Sequence, residues 1–380
     1  MYLTTLSIMY ISNSADITPD KIDEILKELS KLVSNPTSIK VLTDKLPEIK
    51  KLSKRDIVKK IRGYYKAQTL VLVLGAGVSM DFGIPNWDVL LQKLLITTIK
   101  NEETTSTVLS KLFTNLFSPS PLIAGRYLQK YYDDKKLSFE EAVRNVLYEN
   151  LDIDKNSPLL DEIVKLCVAP GKSPNIDSII TYNFDDILEQ RIEKVKLELP
   201  YKSIYGIGMN PNGQLPIFHV HGYLPQSGKI SSDNQITFGE TVYHKQYTDI
   251  YSWNNIVQIN KFRDANCVFI GSSLTDPNTR RLLDIARRQK GEDEHSHFIF
   301  KMRHKEPIVK MRLELLLREN KELLGEKIDA NLELDKTVKL LIEIIERFEE
   351  TDTESFGVKT IWIDEWSEIP EILKEIRTKN

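Results

Sequence analysis

Apolar residues along this chain are arranged in two modes. Short runs that are apolar almost throughout, and rich in β-branched residues, occur at Leu70-Val71-Leu72-Val73-Leu74, Ile176–Thr181, Ile217–Val220, Val268–Gly271, Phe298–Phe300 and Thr360–Ile363. Runs of this length and composition predict strands buried on both faces of a parallel sheet. Between them, apolar residues recur at helical spacing. Leu90, Leu91, Leu94 and Leu95 form one face of a helix beginning at Trp87, and further helices are predicted over Ser106–Phe117, Pro121–Tyr132, Phe139–Tyr148 and Leu159–Val168. Strand and helix in alternation predict an α/β fold, a Rossmann-like doubly wound parallel sheet. The helices from 87 to 168 are long for a single crossover and read as an inserted helical subdomain. Residues 1–65 are polar and lysine-rich, with Ile22, Ile25, Leu26, Leu29 and Leu32 at helical spacing behind the helix-start signal Thr18-Pro19-Asp20. They read as an N-terminal helical extension to a domain spanning 66–380, in which highly charged helices over 306–350 bridge the last two strands.

Composition narrows the class. In 380 residues, 41% hydrophobic and 28% charged positions describe an ordinary soluble globular chain, and no stretch approaches the roughly 20 apolar residues of a membrane span. Met1–Tyr10 has neither a basic flank nor a small-residue cleavage site, so it does not read as a signal peptide. The two cysteines, Cys167 and Cys267, lie in apolar runs and read as buried thiols. They provide neither a disulfide framework nor a zinc quartet, and the cytoplasm is the expected compartment. A net charge of −3 does not support a DNA-binding surface, although Lys301–Lys310 and the face formed by Arg280, Arg281, Arg287 and Arg288 are locally basic.

Chemistry gathers where the strands end. Gly75-Ala76-Gly77-Val78-Ser79-Met80-Asp81-Phe82-Gly83-Ile84-Pro85 follows the first strand directly. Glycines there allow a tight turn and a close approach to a pyrophosphate, and a helix starting just beyond would offer free N–H groups and the positive end of its dipole. The pattern departs from the dehydrogenase fingerprint, because Gly83 stands too far beyond Gly77 and no acidic residue closes a second strand at the expected distance. Thr181-Tyr182-Asn183-Phe184-Asp185-Asp186 suits either a catalytic cluster or an Asx turn in which Asp185 or Asp186 caps a helix over Ile187–Ile192. In Phe218-His219-Val220-His221-Gly222, strand alternation puts His219 and His221 on one face. A His pair is only part of a metal site, so the choice lies between a structural and an active-site histidine. Gly271-Ser272-Ser273-Leu274-Thr275-Asp276-Pro277-Asn278 offers hydroxyls and N–H groups to a ribose or phosphate; alternatively, Thr275 or Asp276 merely caps the next helix. Arg280 and Arg281 stand either near phosphates or on a solvated face.

Taken together and in this order, these segments resemble the sirtuin superfamily. Gly75-Ala76-Gly77-Val78-Ser79 with Gly83-Ile84-Pro85 looks like its glycine loop, Thr181-Tyr182-Asn183-Phe184-Asp185 like its Thr-Gln-Asn-Ile-Asp segment, His221-Gly222 like its catalytic His-Gly, and Gly271-Ser272-Ser273 like its Gly-Thr-Ser. The departures are specific: Asn86-Trp87-Asp88 stands where sirtuins have Phe-Arg, and the zinc cysteines expected after His221 are replaced by Ile236-Thr237-Phe238-Gly239-Glu240-Thr241-Val242-Tyr243. Without the zinc module that helps form the acyl-lysine cleft, deacetylation is not expected. The replacement segment, Thr181-Tyr182-Asn183-Phe184-Asp185-Asp186 and Gly271-Ser272-Ser273-Leu274-Thr275-Asp276-Pro277-Asn278 are similar to the sirtuin-like domains of bacterial anti-phage defence systems, members of which hydrolyse NAD. The length resembles the stand-alone subunit that pairs with a HerA-type hexameric ATPase.

The resemblance implies NAD as substrate and no metal. It implies that Gly75, Ala76, Gly77 and Ser79 hold the pyrophosphate, with Asp81, Ile84, Pro85 and Gly271 completing the binding loops. Asn183 orients the attacking water or the ribose hydroxyls, Asp185 holds the nicotinamide carboxamide, His221 is the general base with His219 as its alternate, and Ser272 and Ser273 contact the adenosine ribose. An enzyme that destroys NAD must be held off at rest, which implies a homo-oligomer regulated by assembly. The competing readings are a subunit that senses NAD or ADP-ribose and a nuclease subunit.

Overall fold

β1 (Leu70–Leu74) is buried at every position. Its alternation explains the run: Leu70, Leu72 and Leu74 point into one core, and Val71 and Val73 into another. An aliphatic side chain is therefore required at each step, which is why the strand reads as continuously apolar. The computed structural model describes residues 52–100, 121–168, 176–195, 201–231, 234–291, 297–319 and 334–378. The helices predicted near Thr18 and over Ser106–Phe117 lie outside these residues. The described residues fall into two compact units: Ser53–Lys301 with Phe356–Asn380, and the part of Met302–Ser355 that is described.

The larger unit is built on β1, β2 (Ile176–Thr181), β3 (Tyr201–Ile204), β4 (Leu215–His219), β5 (Asn266–Ile270), β6 (His297–Met302) and β7 (Val358–Ile363). They form a seven-stranded sheet in the order β3-β4-β2-β1-β5-β6-β7, with parallel registers such as Leu72 beside both Ile179 and Val268. The fold is thus the α/β, Rossmann-like parallel sheet that the sequence predicts. Strand ends shift by a few residues, and β3 was not anticipated. It is an edge strand reading Tyr-Lys-Ser-Ile with only Ile204 buried, too short and polar to stand out from a loop.

One face of the sheet is covered by α1 (Lys54–Lys66), α2 (Trp87–Lys100), α3 (Pro121–Asp134), α4 (Phe139–Leu147), α5 (Pro158–Cys167), α6 (Ile187–Lys194) and α12 (Glu368–Thr378). The helices between β1 and β2 share one continuous core with Leu72, Ile179 and Ile217 of the sheet. Ser53, Ser138 and Ser157 start α1, α4 and α5 by each accepting the N–H of the third residue of its helix. The other face carries α8 (Trp253–Asp264) and α9 (Pro277–Lys290), which bury Phe262, Leu282 and Leu283 against Val71, Val73 and Phe269. α7 (Gly239–Thr248) packs on α3, where Gly125 faces Gly239 so closely that a Cβ on Gly125 would lie 2.5 Å from the Gly239 Cα. Both cysteines are buried, as expected, and burial raises both thiols, Cys167 to about 12.

The second unit is the excursion between β6 and β7, with α10 (Glu306–Glu319) and α11 (Leu334–Ser355) joined by the ion pair Lys310–Asp335, while Arg303, ahead of α10, pairs with Glu346 of α11. Among the described residues, no helix is long and apolar enough to cross a membrane.

Candidate functional site

β1 lies between β2 and β5, so the loops leaving its carboxyl end and theirs part to either side. That switch point opens a crevice in folds of this kind. The loops after β1, β2, β4 and β5 carry the residues singled out in the sequence, and hydrogen bonds join most of them into one constellation.

The glycine loop is explained first by packing. Gly75 N–H donates to Ile270 O (2.9 Å) and Gly77 N–H to Gly271 O (3.0 Å). A Cβ on Gly75 would stand 2.5 Å from Gly271 O, and one on Gly77 2.8 Å from the Gly271 Cα. Gly271, at φ +67°, is in turn the residue that the close approach and the left-handed turn both require. The loops after β1 and β5 therefore touch backbone to backbone. From there the chain makes two single 3₁₀ turns, Ala76–Val78 and Met80–Phe82, that end at Gly83 (φ +89°), and α2 begins at Trp87, where the sequence places a helix. Gly83 and Pro85 thus lie between these turns and α2. Ala76 is exposed and Ser79 buried, while Ile84 belongs to the core and Pro85 is half-buried. The Asp81 carboxylate accepts the Ser157 hydroxyl (2.8 Å).

Asn183 lies two residues beyond Thr181, the last residue of β2. Its side-chain amide donates to Gly75 O and to Ser79 Oγ, both at 3.1 Å, and its backbone N–H to Thr181 Oγ1 (3.1 Å). Ser79 Oγ in turn donates to Asp185 Oδ1 (2.9 Å). That oxygen also accepts Ile187 N–H (3.2 Å), so Asp185 helps to satisfy the start of α6. Asp186 occupies the cap position without a side-chain cap bond. Its carboxylate accepts the Tyr148 hydroxyl (2.7 Å), Gln190 Nε2 (2.8 Å) and Gln226 N–H (3.1 Å) instead, tying the loop after β4 to α6. Burial, opposed by the Ser79 hydroxyl and Ile187 N–H, raises the Asp185 carboxyl to about 6.

The expectation that His219 and His221 share a face is overturned. β4 ends at His219, and Gly222 N–H turns back to His219 O (3.2 Å), so alternation stops there. His219 is 1% exposed and bonds Glu189 of α6. His221 meets the Tyr182 ring edge to face at 4.8 Å, and the Tyr182 hydroxyl reaches Gln258 of α8 (2.6 Å), on the opposite face of the sheet. Burial lowers the His221 pKa, and Asp276 opposes the shift. Asp276 also caps α9 by accepting Thr279 N–H (2.6 Å), as one sequence reading had it, while Ser272 Oγ accepts Leu274 N–H (3.3 Å) and Ser273 Oγ pairs with Thr275 Oγ1 (2.7 Å). Arg280 lies over Phe356 and Arg281 over Tyr247, so both guanidinium groups are engaged by aromatic rings.

The segment Ile236–Tyr243 packs into the core. Phe238 is fully buried against Trp87 and Phe139, at 4.5 and 5.0 Å between ring centres. Thr237 N–H donates to His221 O (2.6 Å), and a Cβ on Gly222 (φ +105°) would stand 2.3 Å from Gln235 O. The His-Gly pair is thus clamped by this segment.

Sequence reasoning missed the buried carboxamides that support this end of β4. Asn254 Nδ2 and Gln246 Nε2 both donate to Val220 O (3.0 and 3.4 Å), Asn255 Nδ2 to Gln246 O (2.7 Å), Gln258 Nε2 to Asn254 O (3.0 Å) and Asn278 Nδ2 to Asn255 Oδ1 (3.0 Å). Asn255 and Gln258 are fully buried. The available signal was amides at Asn255 and Gln258 on the same helix side as Ile259 and Phe262. Elsewhere, a cavity of about 560 Å³ opens beside α5, α6 and α12, where Arg191 is paired with Asp161 and Arg377 with Glu162.

Residues 177–323 match the family model of the SIR2-like domain. The chain is also 24% identical over 338 residues to the NAD(+) hydrolase ThsA of Enterococcus faecium, an alignment covering 86% of this chain and 59% of that protein. The chain thus spans less than two thirds of the length of the curated relative it matches.

Proposed function

We propose that this chain is an NAD glycohydrolase of an anti-phage defence system, cleaving NAD to nicotinamide and ADP-ribose and so depleting the cell of NAD. The observation that carries the reading is the Asn183 amide held between Gly75 O and Ser79 Oγ at the switch point, with Ser79 on Asp185. It joins two of the segments on which the sirtuin resemblance rests, and the name of the Enterococcus faecium relative describes the same activity.

In the reaction, water adds to the anomeric carbon, the carbon–nitrogen bond to nicotinamide breaks, and its electron pair leaves with the ring. The transition state is oxocarbenium-like, so the site must orient the ribose and hold the water opposite the leaving group. Asn183 positions the water or the ribose hydroxyls. His221 takes the proton of the water; a neutral imidazole is required for this, and burial favours the neutral form. Asp185 holds the nicotinamide carboxamide. The loops carrying Gly75, Ala76, Gly77 and Ser79 on one side and Gly271, Ser272 and Ser273 on the other hold the pyrophosphate and the adenosine ribose. No step calls for a metal. We place the enzyme in the cytoplasm as a homo-oligomer, with residues 1–65 and 306–350 as candidate assembly contacts and a HerA-type hexameric ATPase as candidate partner.

The test is incubation of purified protein with NAD, alone and with the ATPase, following nicotinamide and ADP-ribose by chromatography. Nicotinamide release supports the reading. NAD bound but intact under both conditions replaces it with a sensor of NAD or ADP-ribose.

A further inference from the structure

His219 and Glu189 form a buried pair that the proposed reaction leaves unexplained. The ring is 1% and the glutamate 4% exposed. His219 Nδ1 lies 3.2 Å from Asn183 O, and Nε2 lies 2.7 Å from Glu189 Oε1. Ser203 Oγ donates to the same Oε1 (2.8 Å), and Glu189 Oε2 is buried without a hydrogen-bond partner among the described residues.

We propose that His219 and Glu189 are positioning residues for Asn183, joined to its backbone through a proton shared between them. The donor inventory carries the argument. A carbonyl oxygen only accepts, so Nδ1 must bear a hydrogen to bond Asn183 O. In a neutral ring Nε2 is then a lone pair, and it faces a carboxyl oxygen at 2.7 Å. That contact requires a second proton in the gap: the pair is either imidazolium with carboxylate or imidazole with carboxylic acid. Both forms are neutral overall, which is what a site this deeply buried demands. The pair then fixes the Asn183 carbonyl from below while the Asn183 amide holds the crevice loops above. Other ionisable groups around the pair are Asp185 and Asp186 at the start of α6, Cys167 of α5, Tyr201 of β3 and Tyr223, whose ring centre is 4.4 Å from that of His219. None of them presents a donor to Nε2 in place of the shared proton.

The inference rests on the NAD-cleaving reading for its consequence, but its geometry can be tested without it. Protein labelled with ¹⁵N-histidine reports ring protonation in a long-range ¹H–¹⁵N correlation spectrum, with the His219 signals identified by their loss in His219→Gln. The expected result at neutral pH is a protonated Nδ1. A neutral ring with hydrogen on Nε2 alone overturns the proposal, whether or not the enzyme cleaves NAD. Kinetics give the second readout. His219→Gln keeps a polar group near Glu189 but loses the Asn183 bond, and kcat is expected to fall about 10- to 100-fold with KM within about twofold, since a misplaced reacting group costs on that order. Glu189→Gln can donate its amide hydrogen to Nε2 and preserve Nδ1–H, so it is expected to stay within about fivefold of wild type. Equal losses in the two variants, or a loss in KM alone, overturn the positioning role. If His219→Gln does not fold, the His219 signals are identified instead by their shift in Glu189→Gln, whose rate gives the second readout. A wild type that releases no nicotinamide while showing the protonated Nδ1 counts against the function and leaves the pair standing.

Discussion

His219 and His221 are separated by one residue and live in different chemistries. His219 faces α6, with both ring nitrogens engaged by Asn183 O and Glu189 in a pocket that admits almost no solvent. His221 lies past the strand end, against an aromatic edge, and no hydrogen bond from its ring to the described residues is observed beyond the clamp on its own carbonyl. The first is held at both ring nitrogens; the second meets an aromatic edge. The difference teaches that strand alternation assigns a histidine to a face only while the strand lasts. Here the strand ends between the two, and their surroundings divide where the strand ends.

The largest expected effect breaks the comparison outright. His221→Ala and Asn183→Ala should each lower NAD cleavage by roughly 10²–10⁴-fold, the cost of losing a general base or its positioned reactant, with the far-ultraviolet dichroism spectrum unchanged. A variant retaining more than a tenth of the wild-type rate refutes the role assigned to it.

A pH profile sharpens the same contrast. Burial lowers the His221 pKa from 6.5, so the base is unprotonated at neutral pH and is lost only as pH falls below that value. The kcat/KM profile should be flat from neutral upwards on account of this group and bend down on the acid side. A midpoint above 6.5 counts against His221 as the base.

Asp185 tests the price of building a binding site. Its carboxyl is raised to about 6 from 3.8, so the folded protein keeps a proton that the unfolded chain releases. The group therefore favours folding least above pH 6, where its buried charge is fully present. Two pH units correspond to about 3 kcal/mol. Asp185→Asn should raise stability at pH 7.5 by up to that amount in denaturant melts, lose most of the gain near pH 4, and slow NAD cleavage. A destabilised variant at pH 7.5 would show that the hydrogen bonds from Ser79 and Ile187 outweigh desolvation.

Smaller effects are expected from the supports. Gly75→Ala places a methyl group against Gly271 O, a backbone atom that cannot swing away, and should cost about 1–3 kcal/mol. Tyr182→Phe removes the bond to Gln258 while keeping the ring against His221, and should cost about 1 kcal/mol of stability with cleavage within about tenfold of wild type. A larger kinetic loss would give the hydroxyl a role beyond holding the ring.

Much of this was legible in the residues. Leu70–Leu74 announced a central strand because both its faces are buried, and Leu90, Leu91, Leu94 and Leu95 announced a helix because only one side is. The motif order put Asn183, His221 and the two glycine loops at strand ends, where the structure places them. β3 was missed because an edge strand with one buried residue carries almost no periodic signal.

The local pattern of the chain thus determined which segments become strands and helices, since burial on one face or two leaves a period that any reader of the residues can count. The tertiary structure alone decided partners across long separations. That Gly75 must be glycine because Gly271 lies against it, that Glu189 sits under His219, and that Gln246 and Asn254 hold Val220 O all depend on the order of strands in the sheet. Periodicity reports the environment of a residue averaged over its neighbours, whereas a hydrogen bond depends on one atom meeting one other, and only the folded chain brings those atoms together.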